Sequence, residues 1–218
     1  GTATTESGLA KIRLSLDALN TQGMALKLDL SCPEDIKRFT LTLKEQHITI
    51  DILVNNAGHD IGGRRLFHEG TSQGWSAIIE TNVIGLMRVT QAVLEGMVRR
   101  DSGHIVNIGS IAGVQTSPLC AAYSASKHAV HGFSETLRLD YGNTGIKISE
   151  VLPGMVKTEF AATRFDDEDR GAKYYEDFGI CLESEDIARS VMFVLDQPTD
   201  VVIAQVLVLP SSRKIKPV

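Results

Sequence analysis

The chain has 218 residues, 43% of them hydrophobic, with a mean hydropathy near zero, which is enough for one sizeable core and one domain of ordinary globular class. A net charge of −5 without any Lys/Arg block argues against nucleic acid or an anionic membrane surface as partner and leaves small molecules. Cys32, Cys120 and Cys181 are odd in number and far apart, with no CxxC or Cys/His ligand spacing, so the sequence suggests neither a disulfide framework nor a metal site and suits a reducing cytoplasm. No apolar run reads as a bilayer span, and no signal peptide opens the sequence.

In chain order, the apolar periodicity predicts a helix over 6–20 and a strand at "MALKLDL" (24–30). Ser31-Cys32-Pro33-Glu34 then has a capping-box pattern with proline in the first turn, and Ile36, Phe39 and Leu43 share one helical face. A strand at "DILV" (51–54) precedes a long helix over 73–100, a strand at "HIVNIGS" (104–110) precedes a helix over 121–142, and "IKISEVL" (146–152) is the fourth strand. The charged, glycine-punctuated stretch 161–179 fits no element and reads as a mobile lid loop. A helix over 184–196, opened by Ser184 with Glu185 and Asp186 at its positive end, leads to the fifth strand, "VVIAQVLVL" (201–209). Such alternation predicts an α/β fold, a doubly wound, mostly parallel sheet of Rossmann-like type with helices on both faces.

In sheets of this kind ligands bind beyond the carboxyl ends of the strands. Small or amide-bearing residues gather there: Asn55-Asn56-Ala57-Gly58 after the second strand, Ser110 after the third, and Pro153-Gly154 after the fourth. Tyr123 and Lys127 stand four apart on a predicted helix, so phenol and ammonium share one face. His59, His68, His104, His128 and His131 have no ligand spacing and read as surface or packing residues, and Cys120 either lines a pocket near Tyr123 or serves as a small hydrophobe.

"NNAG", Asn82 in "ETNVIG", Ser110, Tyr123 with Lys127, and "PG" occur in the order and spacing of the classical short-chain dehydrogenase/reductase family, which the chain resembles from Gly1 to about Leu209. Within it, "RFDDEDRGAKYYEDFG" followed by "LESEDIARSVMFVLDQP" resembles the NADP-dependent 3-hydroxy acid (serine-type) dehydrogenases. The opening "GTATTESG" resembles instead the end of the second strand in 3-oxoacyl-carrier-protein reductases.

The resemblance implies hydride transfer between nicotinamide and a small hydroxy acid or alcohol/carbonyl substrate, with Asn82, Ser110, Tyr123 and Lys127 catalytic. It places Thr4, Asp29, Leu30, Asn56, Ala57, Gly58, Tyr123, Lys127, Pro153, Gly154, Val156 and Thr158 against the cofactor. No acidic residue follows Thr4 directly, which favours NADP while leaving NAD open. A free tyrosine titrates near pH ~10, so its use as a base near neutrality asks for a shift of about 2 to 3 units, for which Lys127 is the expected cation. Ser110 and Tyr123 would meet the substrate. Arg164 is either the partner of a substrate carboxylate or a solvated arginine amid Asp166, Asp167 and Asp169.

The family's glycine-rich phosphate turn is not found, and five of seven usual strands are read here. We therefore expect Gly1 to be internal to a longer protein, the first two strands lying outside this sequence. The resemblance further implies that the helices over 73–100 and 121–142 pair about a two-fold axis, in a homotetramer or homodimer. The alternatives are a 3-oxoacyl thioester reductase and a non-catalytic binding relative of the same fold.

Overall fold

The computed structural model describes residues 1–20 and 22–211. The element order is β1 (Thr2–Ala3), α1 (Glu6–Ala18), β2 (Leu26–Lys27), α2 (Pro33–Glu45), β3 (Ile52–Asn55), α3 (Ser72–Ile79), α4 (Leu86–Arg100), β4 (Gly103–Ile108), α5 (Ala121–Asp140), β5 (Ile146–Pro153), α6 (Phe160–Phe165), α7 (Glu168–Phe178), α8 (Ser184–Leu195) and β6 (Gln205–Val208). Every strand pairing is parallel: β1 with β2, and β3-β4-β5-β6 in that order. Among the described residues there are thus six strands rather than five. The extra one, β1, is a two-residue ladder too short for alternation to betray it.

Successive residues of a strand face opposite sides of the sheet. Ile105 and Ile148 point to one layer, where Val93, Leu94 and Met97 of α4 and Leu137 of α5 cover them. Val106 and Val151 point to the other, against Val194 of α8. Helices on both faces leave β4 and β5 without a wet side, so even their polar members Asn107, Ser149 and Glu150 are fully buried.

Several local expectations need correction. The N-cap of α2 is Cys32 and makes no side-chain cap; Ser31 instead gives its N–H and hydroxyl to the Asp29 carboxylate, at 2.9 and 2.6 Å. The cap of α8 is Glu183, whose box partner is Asp186, one residue ahead of the expected Ser184. Stretch 161–179 is two helices, α6 and α7, joined at Asp166 in the left-handed region (φ 52°). Its charges lie largely on the outer faces, while Ala161, Arg164, Gly171 and Tyr175 are buried, a spacing obscured by the surrounding acids. The helical run Ser72–Arg100 is, by length and mean hydropathy of 1.2, long and apolar enough to cross a membrane, contrary to expectation; half of that window is buried, as in a core helix.

One buried group on β4 links the fold to pH. His104 is 9% exposed, its Nε2 lies 2.9 Å from Ser149 Oγ, and burial, aided by Lys147, lowers its pKa from 6.5 to about 4. Between those values the unfolded chain binds the proton that the folded chain refuses, so stability falls as pH drops through that window, by up to about 3 kcal/mol. His104→Asn should flatten this acid limb in urea midpoints measured across the window. An unchanged slope would assign the limb to other groups.

Candidate active site

The carboxyl ends of β3, β4 and β5 open onto one side, and the polar residues that follow them meet there. Asn55 and Asn107 are register partners on β3 and β4. Asn55 Nδ2 donates to Asn107 Oδ1 and to Thr90 Oγ1, both at 2.9 Å, and Asn107 Nδ2 donates to Ser134 Oγ at 2.8 Å. This buried amide ladder ties α4 and α5 to the sheet under the site. Its second rung, Asn107, carries no motif in the sequence and was visible there only as a polar residue inside an apolar strand.

Asn82 sits in a π-helical turn, Glu80–Gly85, between α3 and α4. Such turns insert a residue into the ladder and occur often at functional sites. Asn82, 1% exposed, accepts from His59 N–H at 2.9 Å and donates to His59 O (2.9 Å) and Ser126 Oγ (3.1 Å), so it pins the loop after β3 to α5. Gly58 belongs to this close approach: a β-carbon there would lie 3.1 Å from Asn82 Oδ1 and 3.7 Å from Lys127 Nζ.

Ser110 follows β4 and caps a short 3-10 turn, accepting from Ala112 N–H at 3.1 Å. Tyr123 lies in the first turn of α5 and Lys127 one turn on. Lys127, 6% exposed, donates to Ile108 O at 2.9 Å, with Nζ 6.0 Å from the Tyr123 ring centre. Tyr123 meets Phe160 edge to face at 5.7 Å.

The electrostatics differ from expectation. Burial pushes the Tyr123 phenol up to about 12; a hydrogen bond from Ser110 and the charge of Arg164 oppose the rise without cancelling it. Two cations flank the phenol at similar distances, the Arg164 guanidinium carbon at 5.8 Å and Lys127 Nζ at 6.0 Å from its ring centre, and Lys127 is at the same time anchored on the Ile108 carbonyl. Burial lowers Lys127 to about 8 against the pull of Glu150. Glu150 is itself fully buried, with Oε2 2.8 Å from His131 Nδ1.

Two adjoining cavities, of about 500 and about 930 Å³, lie over these groups. Asn56, Gly58, Ile108, Pro153, Val156 and Thr158 border both; Ser110, Tyr123, Lys127, Gly154, Cys120 and Arg164 border the first. Of the expected cofactor residues, Thr4, Asp29, Leu30 and Ala57 border neither. Asp29 caps Ser31, and Leu30 packs so tightly on Gly85 that a β-carbon at Gly85 would lie 2.5 Å from the Leu30 carbonyl oxygen. Thr4 is exposed just after β1.

Arg164 is no solvated arginine. It is 8% exposed and pairs with buried Asp60, Nε to Oδ2 at 2.8 Å. Burial raises Asp60 to about 6 in spite of that partner. Asp60, Arg64 and Tyr174 escaped the sequence reading because they belong to no spaced pattern; only the lone acid after "NNAGH" and the twin arginines hinted at them.

A model of the family described as short chain dehydrogenase matches residues 2–169. The chain belongs to that family. Among curated relatives of this short-chain dehydrogenase, the NADP-dependent 3-hydroxy acid dehydrogenase YdfG of Salmonella typhi is 37% identical over 199 residues, 90% of this chain and 79% of the relative. The NADP-dependent 3-hydroxy acid dehydrogenase of Schizosaccharomyces pombe is 36% identical over 190 residues, 87% of this chain and 73% of that protein. Among solved structures, the closed form of a serine dehydrogenase complexed with NADP+ superposes with a TM-score of 0.91 at 32% identity, covering 100% of this chain and 86% of the other.

Proposed function

We propose that this short-chain dehydrogenase is an NADP-dependent oxidoreductase interconverting a small hydroxy acid, or a related alcohol, with its carbonyl form. The observation that carries this reading is the convergence of Ser110 and Tyr123 with a buried arginine, Arg164, on one cavity beside Lys127. The 3-hydroxy acid relatives and the NADP+-bound structural neighbour support the cofactor and substrate class.

Gly58 borders both cavities and Gly154 the first; a β-carbon at Gly154 would lie 2.9 Å from Leu209, which lines the same cavity. Asn56, Gly58, Ile108, Pro153, Gly154, Val156 and Thr158 would hold the nicotinamide end, with Thr4, Asp29, Leu30 and Ala57 left for the more distant end. When bound, the cofactor supplies or accepts the hydride.

Tyr123 exchanges a proton with the substrate oxygen, and Ser110 holds that oxygen by a hydrogen bond and polarises it. Lys127 fixes the end of β4 through Ile108 O and places a buried positive charge beneath the ring site. Asn82 sets the loop that carries Gly58. Arg164 pairs with the substrate carboxylate, a role its burial beside Tyr123 favours over a structural one: its guanidinium carbon lies 5.8 Å from that ring. Helices α6 and α7 form the cover of the substrate. Assembly as a homotetramer or homodimer through α4 and α5 fits exposed Val98 and Leu139 on those helices, and a cytoplasmic setting fits three free cysteines.

NADPH oxidation measured with a free short-chain 3-oxo acid and with the matching 3-oxoacyl thioester tests the reading. The free acid should be reduced with the higher kcat/KM. Preference for the thioester would hand the function to the acyl-reductase alternative.

A further inference from the structure

The substrate side of Tyr123 holds more positive charge than Arg164 alone supplies. Arg164 Nη1 donates to the Tyr174 hydroxyl oxygen at 3.3 Å, and Arg64 Nη1, from the loop after β3, reaches the same oxygen at 3.2 Å. Two guanidiniums from separate elements therefore converge on one neutral acceptor, and all three side chains border the cavity that contains Ser110 and Tyr123. Arg64 is braced from behind by Nη2 on Pro118 O at 2.8 Å. Arg164 is braced by Phe160, 5.0 Å beneath its guanidinium.

One buried carboxylate opposes them. Asp60, 3% exposed, is 2.8 Å from Arg164 Nε, yet among the described residues neither Asp60 Oδ2 nor Arg164 Nε makes a well-aligned hydrogen bond. The other charges bordering the cavity are accounted for. Lys127 is held by Ile108 O close to Glu150, and Asp177 lies on the exposed rim. Two guanidiniums against one carboxylate leave a single positive charge, on half-buried Arg64, without a carboxylate partner among the described residues where it faces the cavity, and an anion entering there would meet it. A carboxylate, with two oxygens and four lone pairs, is a far better shared acceptor for two guanidiniums than one phenol oxygen.

We propose that Arg64 is the second arm of a carboxylate clamp with Arg164, and that Asp60 is a positioning residue whose charge tunes the clamp to a monocarboxylate rather than a dicarboxylate. The inference rests on the hydroxy-acid reading above and adds to it a specificity-determining pair and a preferred substrate charge. Tyr174 is the group the substrate carboxylate displaces as shared acceptor.

Steady-state kinetics with NADP+ test this on three substrates of matched length: a 3-hydroxy monocarboxylate, its methyl ester and a 3-hydroxy dicarboxylate. For Arg64→Gln, KM for the monocarboxylate should rise about 10-fold or more relative to KM for the ester, the loss expected for one charge-assisted hydrogen bond, with kcat falling much less. Arg64→Lys, which keeps the charge without the fork, should recover part of that loss and guards against misfolding as the cause. Asp60→Asn should shift preference toward the dicarboxylate, a change that mere loosening of α6 would not produce. Butyrate binding to the enzyme with NADP+, followed by calorimetry, should weaken in parallel in Arg64→Gln. If Arg164→Gln raises KM for the acid while Arg64→Gln moves acid and ester equally, the clamp is wrong and the hydroxy-acid reading survives. A wild-type enzyme that turns over the ester as well as the acid removes that reading and the clamp with it.

Discussion

Tyr123→Phe is expected to lower kcat in both directions by about 10³-fold while leaving NADPH binding little changed, because it removes only the hydroxyl that exchanges a proton with the substrate. The magnitude follows from the site. Burial raises the phenol to about 12, so at neutral pH Tyr123 is a poised acid, ready for carbonyl reduction. Alcohol oxidation needs the anion, and the positive ring of bound NADP+ acts in the same direction as Ser110 and Arg164 in favouring it. Oxidation should therefore climb with pH above neutrality while reduction stays level until the phenol begins to ionise. Rapid-mixing kinetics with NADPH fluorescence separate binding from turnover. A variant that keeps wild-type kcat would remove Tyr123 from the chemistry.

Lys127→Met should reduce kcat/KM by about 10²-fold and also weaken the fold. Lys127 is the donor to Ile108 O, and its charge lies near the fully buried Glu150. Removing it strands a carbonyl at the end of β4 and takes a cation from Glu150, a loss of about 1–3 kcal/mol for one buried group left unsatisfied. The sign with pH is also set. Burial lowers the lysine from 10.5 to about 8, so between those values the unfolded chain binds the proton that the folded chain sheds, and the burial cost of the charged lysine is relieved: stability should rise with pH through that window in wild type and lose this rise in the variant. Urea midpoints and cofactor titrations read the two effects separately. A variant that loses activity with an unchanged midpoint would restrict Lys127 to chemistry.

Much of the architecture was legible because burial on both faces of the sheet writes apolar runs that differ from the amphipathic helices between them. The run at 146–152 became β5 almost to the residue, since β5 has partners on both sides. The runs at 24–30 and 201–209 shrank to Leu26–Lys27 and Gln205–Val208, where a single partner holds only part of each segment in a ladder. Stretch 161–179 was misread because its acids mask a narrow buried stripe of Ala161, Arg164, Gly171 and Tyr175.

At the site, Ser110, Tyr123 and Lys127 were legible through the family resemblance that they carry together with Asn82 and "NNAG", a Tyr/Lys spacing of four being weak by itself, and the structure brings the three to one cavity. What spacing could not show was the direction of the electrostatics: the sequence places Lys127 one turn from Tyr123, yet the side chain spends its hydrogen bond on Ile108. Asp60, Arg64 and Tyr174 come from the loop after β3 and from α7, 110 residues apart for Arg64 and Tyr174, and only the fold makes them neighbours.

The most direct test follows a label. A 3-hydroxy acid carrying deuterium on its hydroxyl carbon is incubated with the enzyme and NADP+, and the recovered NADPH is examined by mass spectrometry. Deuterium on the nicotinamide with wild type, and its near absence with Tyr123→Phe, is the predicted result. Absence of label with wild type, or equal labelling by the variant, would contradict hydride transfer at the Ser110, Tyr123 and Lys127 site.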